Sequence, residues 1–283
     1  MDASEIENGH LEATGGARLF YRWHVPSNDD GVLGCVVVVH GFAEHSGRYL
    51  HVLEALTRAG YACLALDVRG HGRSEGRRGF VNRFDEYHRD LDAALAFVRE
   101  KKVGGPTFLL GHSQGGLIVS SYVLDNPHAA DGMILSSPAM GVALQIPVWK
   151  EGMARFMSNV WPPLALPSGI GSDQISRDKE TIAAYEADPL VFKSATARWY
   201  TEFRAIQATM ESAGSGIEMP LLLLQAGSDQ LVSPEASRAF HDGLASSDKT
   251  FELYEACYHE LFNEPEREEI LATVIAWLRA RSD

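Results

Sequence analysis

Apolar residues along the chain recur with two periods, every second residue in some stretches and every third or fourth in others. Period two predicts strands and period three to four predicts helices. After a polar N-terminal tail, 10–14 and 18–25 alternate around Gly15-Gly16, which predicts an opening antiparallel hairpin. A continuous apolar run at 35–40 predicts a buried strand, 49–59 a helix, and 61–66 another buried strand that closes at Asp67. In 84–101, Phe84, Tyr87, Leu91, Leu95 and Val98 share one helical face. A strand at 107–112, a helix ended by Asn126-Pro127 and a strand at 132–136 follow. Beyond an irregular stretch come a helix (198–211), a strand (220–225), a helix (234–244), a strand (249–254) and an amphipathic helix (265–281). Strands alternating with helices predict an α/β architecture, a mostly parallel eight-stranded sheet with helices on both faces.

Between the strand at 107–112 and its helix stands Gly111-His112-Ser113-Gln114-Gly115. G-x-S-x-G in a strand–turn–helix setting is the nucleophile elbow of an α/β-hydrolase, its glycines leaving room for a tight, strained turn. A serine hydroxyl needs a base and an orienting acid, in the order Ser, acid, His on this fold. Asp229 follows the apolar run 221–224 and a Gly turn, and His259 follows the strand at 249–254. Side chains at the C-terminal ends of parallel strands point into the ligand crevice, so Ser113, Asp229 and His259 form the candidate triad. Two backbone N–H groups must receive the oxyanion. The candidates are Gln114, next after the nucleophile, and Phe42, in the turn at Gly41 after the strand at 35–40.

The irregular stretch, 140–197, holds Ile146, Val148, Trp149, Met153, Phe156, Met157, Val160 and Trp161 before a proline-rich run. Trp149, Met153, Phe156 and Val160 are spaced four, three and four apart, one helical stripe. Coming after the strand that follows the elbow, this stretch is expected to form a cap over the site, inserted between core segments 1–139 and 198–283. Its Met and Trp content suits an acyl chain, with these residues and Met157 lining the pocket. Transient contact with a lipid surface through the cap is a further expectation.

The net charge of −13 argues against a nucleic-acid partner and against adsorption to anionic membranes. Residues 1–7 hold neither a basic nor an apolar run, and no apolar stretch reaches transmembrane length, so neither a leader nor a span is expected. Three cysteines, Cys35, Cys63 and Cys257, read as free thiols in a reducing cytoplasm. His259-Glu260-Leu261-Phe262-Asn263 has Asn where the second ligand of a zinc H-E-x-x-H motif must stand, so no metal is expected. Gly70-His71-Gly72-Arg73-Ser74-Glu75-Gly76 misses the dinucleotide-binding spacing by one residue, and no cofactor is expected. The arginines of 69–78 read as a solvated turn. No feature specifies an oligomeric state.

The chain resembles the monoacylglycerol lipase and lysophospholipase branch of the α/β-hydrolases. The resemblance rests on His40-Gly41-Phe42-Ala43-Glu44-His45-Ser46-Gly47-Arg48-Tyr49, the Gly70–Gly76 segment, the elbow, Tyr185-Glu186-Ala187-Asp188-Pro189-Leu190, Gly227-Ser228-Asp229 and Tyr258-His259. It implies the same triad, the same oxyanion donors and a cap over 140–197. It also implies a glycerol-side region lined by Glu44, Arg48 and Tyr185. Two departures, Phe262 in place of a polar His and Phe42 in place of a small Ala, favour a broader esterase. The expected activity is cofactor-free serine hydrolysis of monoacylglycerols or similar single-chain lipid esters. Lysophospholipase or broad carboxylesterase activity is the alternative within this chemistry, and a catalytically silent receptor is the alternative outside it.

Overall fold

The protein is described by a computed structural model covering residues 5–27, 31–143 and 148–282. Its main sheet has eight strands: β1 (Glu5–Ala13), β2 (Ala17–Val25), β3 (Gly34–Val39), β4 (Tyr61–Leu66), β5 (Thr107–His112), β6 (Gly132–Ser136), β9 (Leu221–Ala226) and β10 (Lys249–Tyr254). The order across the sheet is β1-β2-β4-β3-β5-β6-β9-β10. β1 runs antiparallel to β2 and β2 antiparallel to β4, and all other pairs are parallel. The eight expected strands are all present. β1 starts five residues earlier than the alternation predicts, because the polar segment pairs in register with β2 from Glu5 opposite Val25 onward.

Each buried strand divides its side chains between two cores, as the two-residue pleat requires. Val37, Val39, Leu109, Leu221 and Leu223 enter one core, whereas Val36, Val38, Phe108, Leu110, Leu222 and Leu224 enter the other. The first core is closed by α2 (Asp85–Lys101), α3 (Gln114–Asp125), α6 (Ala197–Ala213) and α7 (Pro234–Gly243). α1 (Leu50–Arg58) and α8 (Arg267–Arg279) close the second. The sheet is thereby covered on both faces, and its loops converge at the C-terminal ends of β3, β5, β9 and β10.

Between β6 and β9 the alternation is interrupted by α4 (Val148–Val160), α5 (Lys179–Ala187) and a small antiparallel pair, β7 (Ala165–Pro167) with β8 (Ser194–Thr196). The stretch that reads as irregular is therefore partly ordered. Ile146 lies outside the described residues. Arg69 departs from the solvated-turn expectation: its guanidinium bonds the buried Asp90 carboxylate, with a further contact to Glu86 at 3.1 Å. Among the described residues no helix is long and apolar enough to cross a membrane.

Candidate active site

Ser113 occupies the sharp turn from β5 into α3, with φ 51° and ψ −116°, a conformation that L side chains rarely adopt. The backbone around it is crowded. A Cβ on Gly111 would lie 2.5 Å from the Gly115 carbonyl oxygen, and one on Gly115 would lie 2.1 Å from that of Val39. Glycine at both positions is thus a packing requirement. The strained residue is held from both sides: its N–H donates to the Ser136 carbonyl and its own carbonyl accepts from Ala139, each at 3.0 Å.

The loop after β3 faces this turn. His40 is fully buried; its Nδ1 lies 2.7 Å from the Gly41 carbonyl oxygen while Nε2 accepts from Val68 N–H at 3.1 Å, which fixes the tautomer. Gly41 N–H donates to Glu44 Oε1 at 2.6 Å, and a Cβ there would meet that oxygen at 2.8 Å. The left-handed conformation of the loop falls not on Gly41 but on Ala43, with φ 66°. The backbone N–H groups of Phe42 and Gln114 make no hydrogen bond among the described residues. Both residues line the cavity that Ser113 lines.

Asp229 and His259 are brought together from the ends of β9 and β10. His259 Nδ1 lies 2.7 Å from Asp229 Oδ2, and Asp229 Oδ1 accepts from Leu231 and Val232 N–H at 2.8 and 3.0 Å. Burial pushes the Asp229 carboxyl up, but His259 and the two backbone donors outweigh it and hold the group below the usual range. Burial likewise disfavours the charged His259, yet the facing carboxylate of Asp229 raises its pKa above the ordinary value. The neighbouring His112 ring, 4.8 Å away, is driven down to about 3 by burial and by His259, so it stays neutral beside the base.

Ser113 and His259 open onto a cavity of about 640 Å³ with mostly apolar walls. α4 contributes Met153, Ala154 and Met157, the β7 region contributes Leu164, Leu166 and Ile170, and α6 contributes Trp199 and Phe203. Two of the expected pocket residues, Met153 and Met157, are thus present. The rest of the stripe is turned the other way. Trp149, Phe156 and Val160 are 65%, 64% and 64% exposed and do not line the cavity. Ser158 is the reason: it is buried against α6, where its hydroxyl bonds Thr201 at 2.8 Å and its carbonyl accepts from Arg198 at 2.8 Å. That fixes the rotation of the helix and leaves Trp149, Phe156 and Val160 outward.

Glu44, Arg48 and Tyr185, expected to line a glycerol-side region, stand outside the lining of this cavity. Arg48 donates to Glu44 Oε2 at 2.9 Å and grips Glu260 with two bonds of 2.5 and 2.7 Å. Glu44 Oε1 also accepts from Tyr49 OH at 2.7 Å, and the Arg48 guanidinium stacks over the Tyr185 ring at 4.8 Å. Burial opposes charge on Glu44, but the Arg48 guanidinium, with the Tyr49 hydroxyl, keeps its carboxyl well below the usual range. Arg48 is thus held by two carboxylates and an aromatic ring at once.

Among the described residues Cys257, Glu264 and Glu266 are close enough to suggest a cation site. The guanidinium of Arg177 already occupies it, bonding Glu264 at 2.5 Å and also Glu266. Two residues escaped the sequence reading. Trp199 contacts both Phe42 and Gln114; its only advance signal is the Trp199, Phe203 pair at helical spacing after the Thr196 cap. Glu260, visible only as part of a failed metal motif, is the partner of Arg48.

Residues 31–266 match the family described as "Serine aminopeptidase, S33" (Hydrolase_4). The chain is 33% identical over 279 residues to the monoacylglycerol lipase of Mycolicibacterium smegmatis, covering 98% of this chain and 99% of that protein. It is also 33% identical over 251 residues to phospholipase YtpA of Bacillus subtilis, covering 88% and 96%. The crystal structure of Paleococcus ferrophilus monoacylglycerol lipase superposes with a TM-score of 0.83 at 29% identity, covering 98% and 99% of the two chains. A model match over most of the chain, near-full-length relatives and a shared sheet with a strained serine elbow lead to one conclusion: this chain belongs to the serine aminopeptidase S33 (Hydrolase_4) family of α/β-hydrolases.

Proposed function

We propose that the protein hydrolyses monoacylglycerols and related single-chain carboxylic esters, with Ser113 as nucleophile, His259 as base and Asp229 as its orienting acid. The observation that carries this reading is the strained Ser113 elbow, sharing one apolar cavity with a His259 already paired to Asp229. With Nδ1 engaged by Asp229, His259 offers Nε2 to Ser113 Oγ, takes its proton during attack on the acyl carbonyl and passes it to the departing alcohol. The N–H groups of Phe42 and Gln114, free of other bonds, receive the developing oxyanion. Water activated by His259 then releases the fatty acid.

The apolar walls fit the acyl chain, and 140–197 acts as the cap that supplies most of them, inserted between core segments 1–139 and 198–283. Among the described residues that line the cavity none carries a carboxylate. An aminopeptidase would need one to hold the substrate's ammonium group, so ester hydrolysis is favoured over the peptidase chemistry in the family's description. The exposed Trp149, Phe156, Val160 and Trp161 would meet a lipid surface during substrate transfer, and Met153 and Leu166 are both exposed and cavity-lining, joining that patch to the cavity. Free, buried thiols at Cys35, Cys63 and Cys257 support a reducing, cytoplasmic setting.

The similarity to a protein named a phospholipase favours, as a second reading, the cleavage of lysophospholipids by the same residues. A hydrolysis panel of monoacylglycerols, lysophosphatidylcholine, triacylglycerol and p-nitrophenyl esters, run on the wild type and Ser113→Ala, tests both. Monoacylglycerol turnover that is abolished in Ser113→Ala supports the proposal. Turnover retained in that variant, or no labelling of the wild type by a fluorophosphonate, overturns it.

A further inference from the structure

Two backbone N–H groups can act as one oxyanion hole only if their separation is held constant, because stabilisation falls steeply with misplaced donors. Here the two come from loops far apart in sequence, Phe42 after β3 and Gln114 at the start of α3. One side chain touches both. The Trp199 indole stacks on the Phe42 ring with centroids 3.9 Å apart and planes 29° apart, and its Nε1–H donates to Gln114 Oε1 at 2.9 Å. The indole bond is the hydrogen bond made by the Gln114 side chain among the described residues, and the buried Tyr87 hydroxyl lies beside both groups.

Trp199 is itself anchored. It lies in the first turn of α6, where its N–H donates to Thr196 Oγ1 at 3.3 Å and its ring stacks on Phe203 at 4.9 Å. The Thr196 hydroxyl in turn donates to the Gly79 carbonyl at 2.6 Å. The far side of Phe42 is closed by Phe192 and His71 edges at 5.4 and 5.8 Å.

Resting on the reading above that Phe42 and Gln114 carry the oxyanion donors, we propose that Trp199 is a positioning residue that locks the two halves of the hole together. Among the described residues it makes no hydrogen bond or ring contact with Ser113, Asp229 or His259. Removing its N–H loosens Gln114 and removing its ring frees Phe42, and both act on the transition state more than on ester binding.

The test is kcat and KM for p-nitrophenyl butyrate and for a C12 monoacylglycerol on Trp199→Phe, Gln114→Met and the double variant. Trp199→Phe keeps an aromatic stack and removes only the donor; Gln114→Met removes the acceptor and leaves the backbone N–H. Each single change is expected to lower kcat about fivefold on both esters with KM within about twofold, the size expected for one lost hydrogen bond. The double variant is expected to lose no more than the worse single, since both remove the same bond. A Trp199→Phe enzyme with unchanged kcat, a loss confined to KM for the C12 ester, or losses that multiply in the double variant would overturn the proposal. Should Trp199→Phe fail to fold, Gln114→Met decides alone: a kcat that does not fall at constant KM overturns it. Ser113→Ala in parallel separates the two failures. Turnover retained there overturns the serine mechanism itself, whereas an inactive Ser113→Ala beside an unimpaired Trp199→Phe overturns only the role of the indole.

Discussion

Arg48 holds Glu260, the residue next to His259, through two bonds of 2.5 and 2.7 Å, although 212 positions separate them in sequence. The same guanidinium reaches Glu44, whose other oxygen bonds the Gly41 N–H. One buried cation therefore ties the loop carrying the base to the loop carrying a proposed oxyanion donor. Its absence would leave two carboxylates buried without a counter-charge.

Arg48→Met is accordingly expected to destabilise the fold by about 3–5 kcal/mol, the range for breaking one side of a buried ion pair. What activity remains should be lowered by a similar factor for monoacylglycerols and p-nitrophenyl esters, because Arg48 is not among the residues that line the cavity at Ser113. Chemical denaturation together with kcat/KM on both substrates checks this. Loss restricted to glycerol esters in a variant of wild-type stability would restore Arg48 as a head-group ligand.

The pH profile follows from the Asp229–His259 pair. His259 must be neutral to accept the Ser113 proton, and its pKa is raised by Asp229, so activity disappears as pH falls through a value above the ordinary ~6.5. Asp229→Asn removes the cause of the rise and lets the imidazole take the wrong tautomer. The acidic limb of kcat/KM should then move down in pH while kcat falls by about 10⁴. A limb that stays in place in Asp229→Asn would assign it to another group.

The two faces of α4 should separate in mutagenesis. Met157→Ser, on the cavity wall, is expected to lower kcat/KM for C12 relative to C4 monoacylglycerols, since each buried methylene contributes up to about 0.8 kcal/mol. Phe156→Ser, on the outer face, is expected to leave that ratio unchanged for monomeric substrate and to weaken binding to neutral lipid vesicles. An altered C12 to C4 ratio in Phe156→Ser would place its ring at the acyl chain.

Chelation is expected to leave turnover unchanged, because the Arg177 guanidinium fills the space among Cys257, Glu264 and Glu266 where a cation would sit. Loss of activity in EDTA, with recovery on adding zinc, would show that Arg177 can be displaced.

Periodicity and short motifs act over a few residues, and what depends on them was legible in the linear chain: the strands, their alternation with helices, the strained turn at Ser113 and the placing of Asp229 and His259 after strands. The direction of α4 was not. Trp149, Met153, Phe156 and Val160 mark an apolar stripe, but a stripe does not state whether it faces a protein core or the outside. Rotation was decided by what α6 offers, a hydroxyl for Ser158 and a guanidinium for its carbonyl, and by room for Ala154 and Met157 over the cavity. The partner of Arg48 was equally out of reach. Glu44 lies four residues away and is visible locally, whereas Glu260 comes near only when β10 is laid beside β9. Local order is set by local chemistry; the neutralisation of a buried charge depends on which distant strand end the sheet brings beside it.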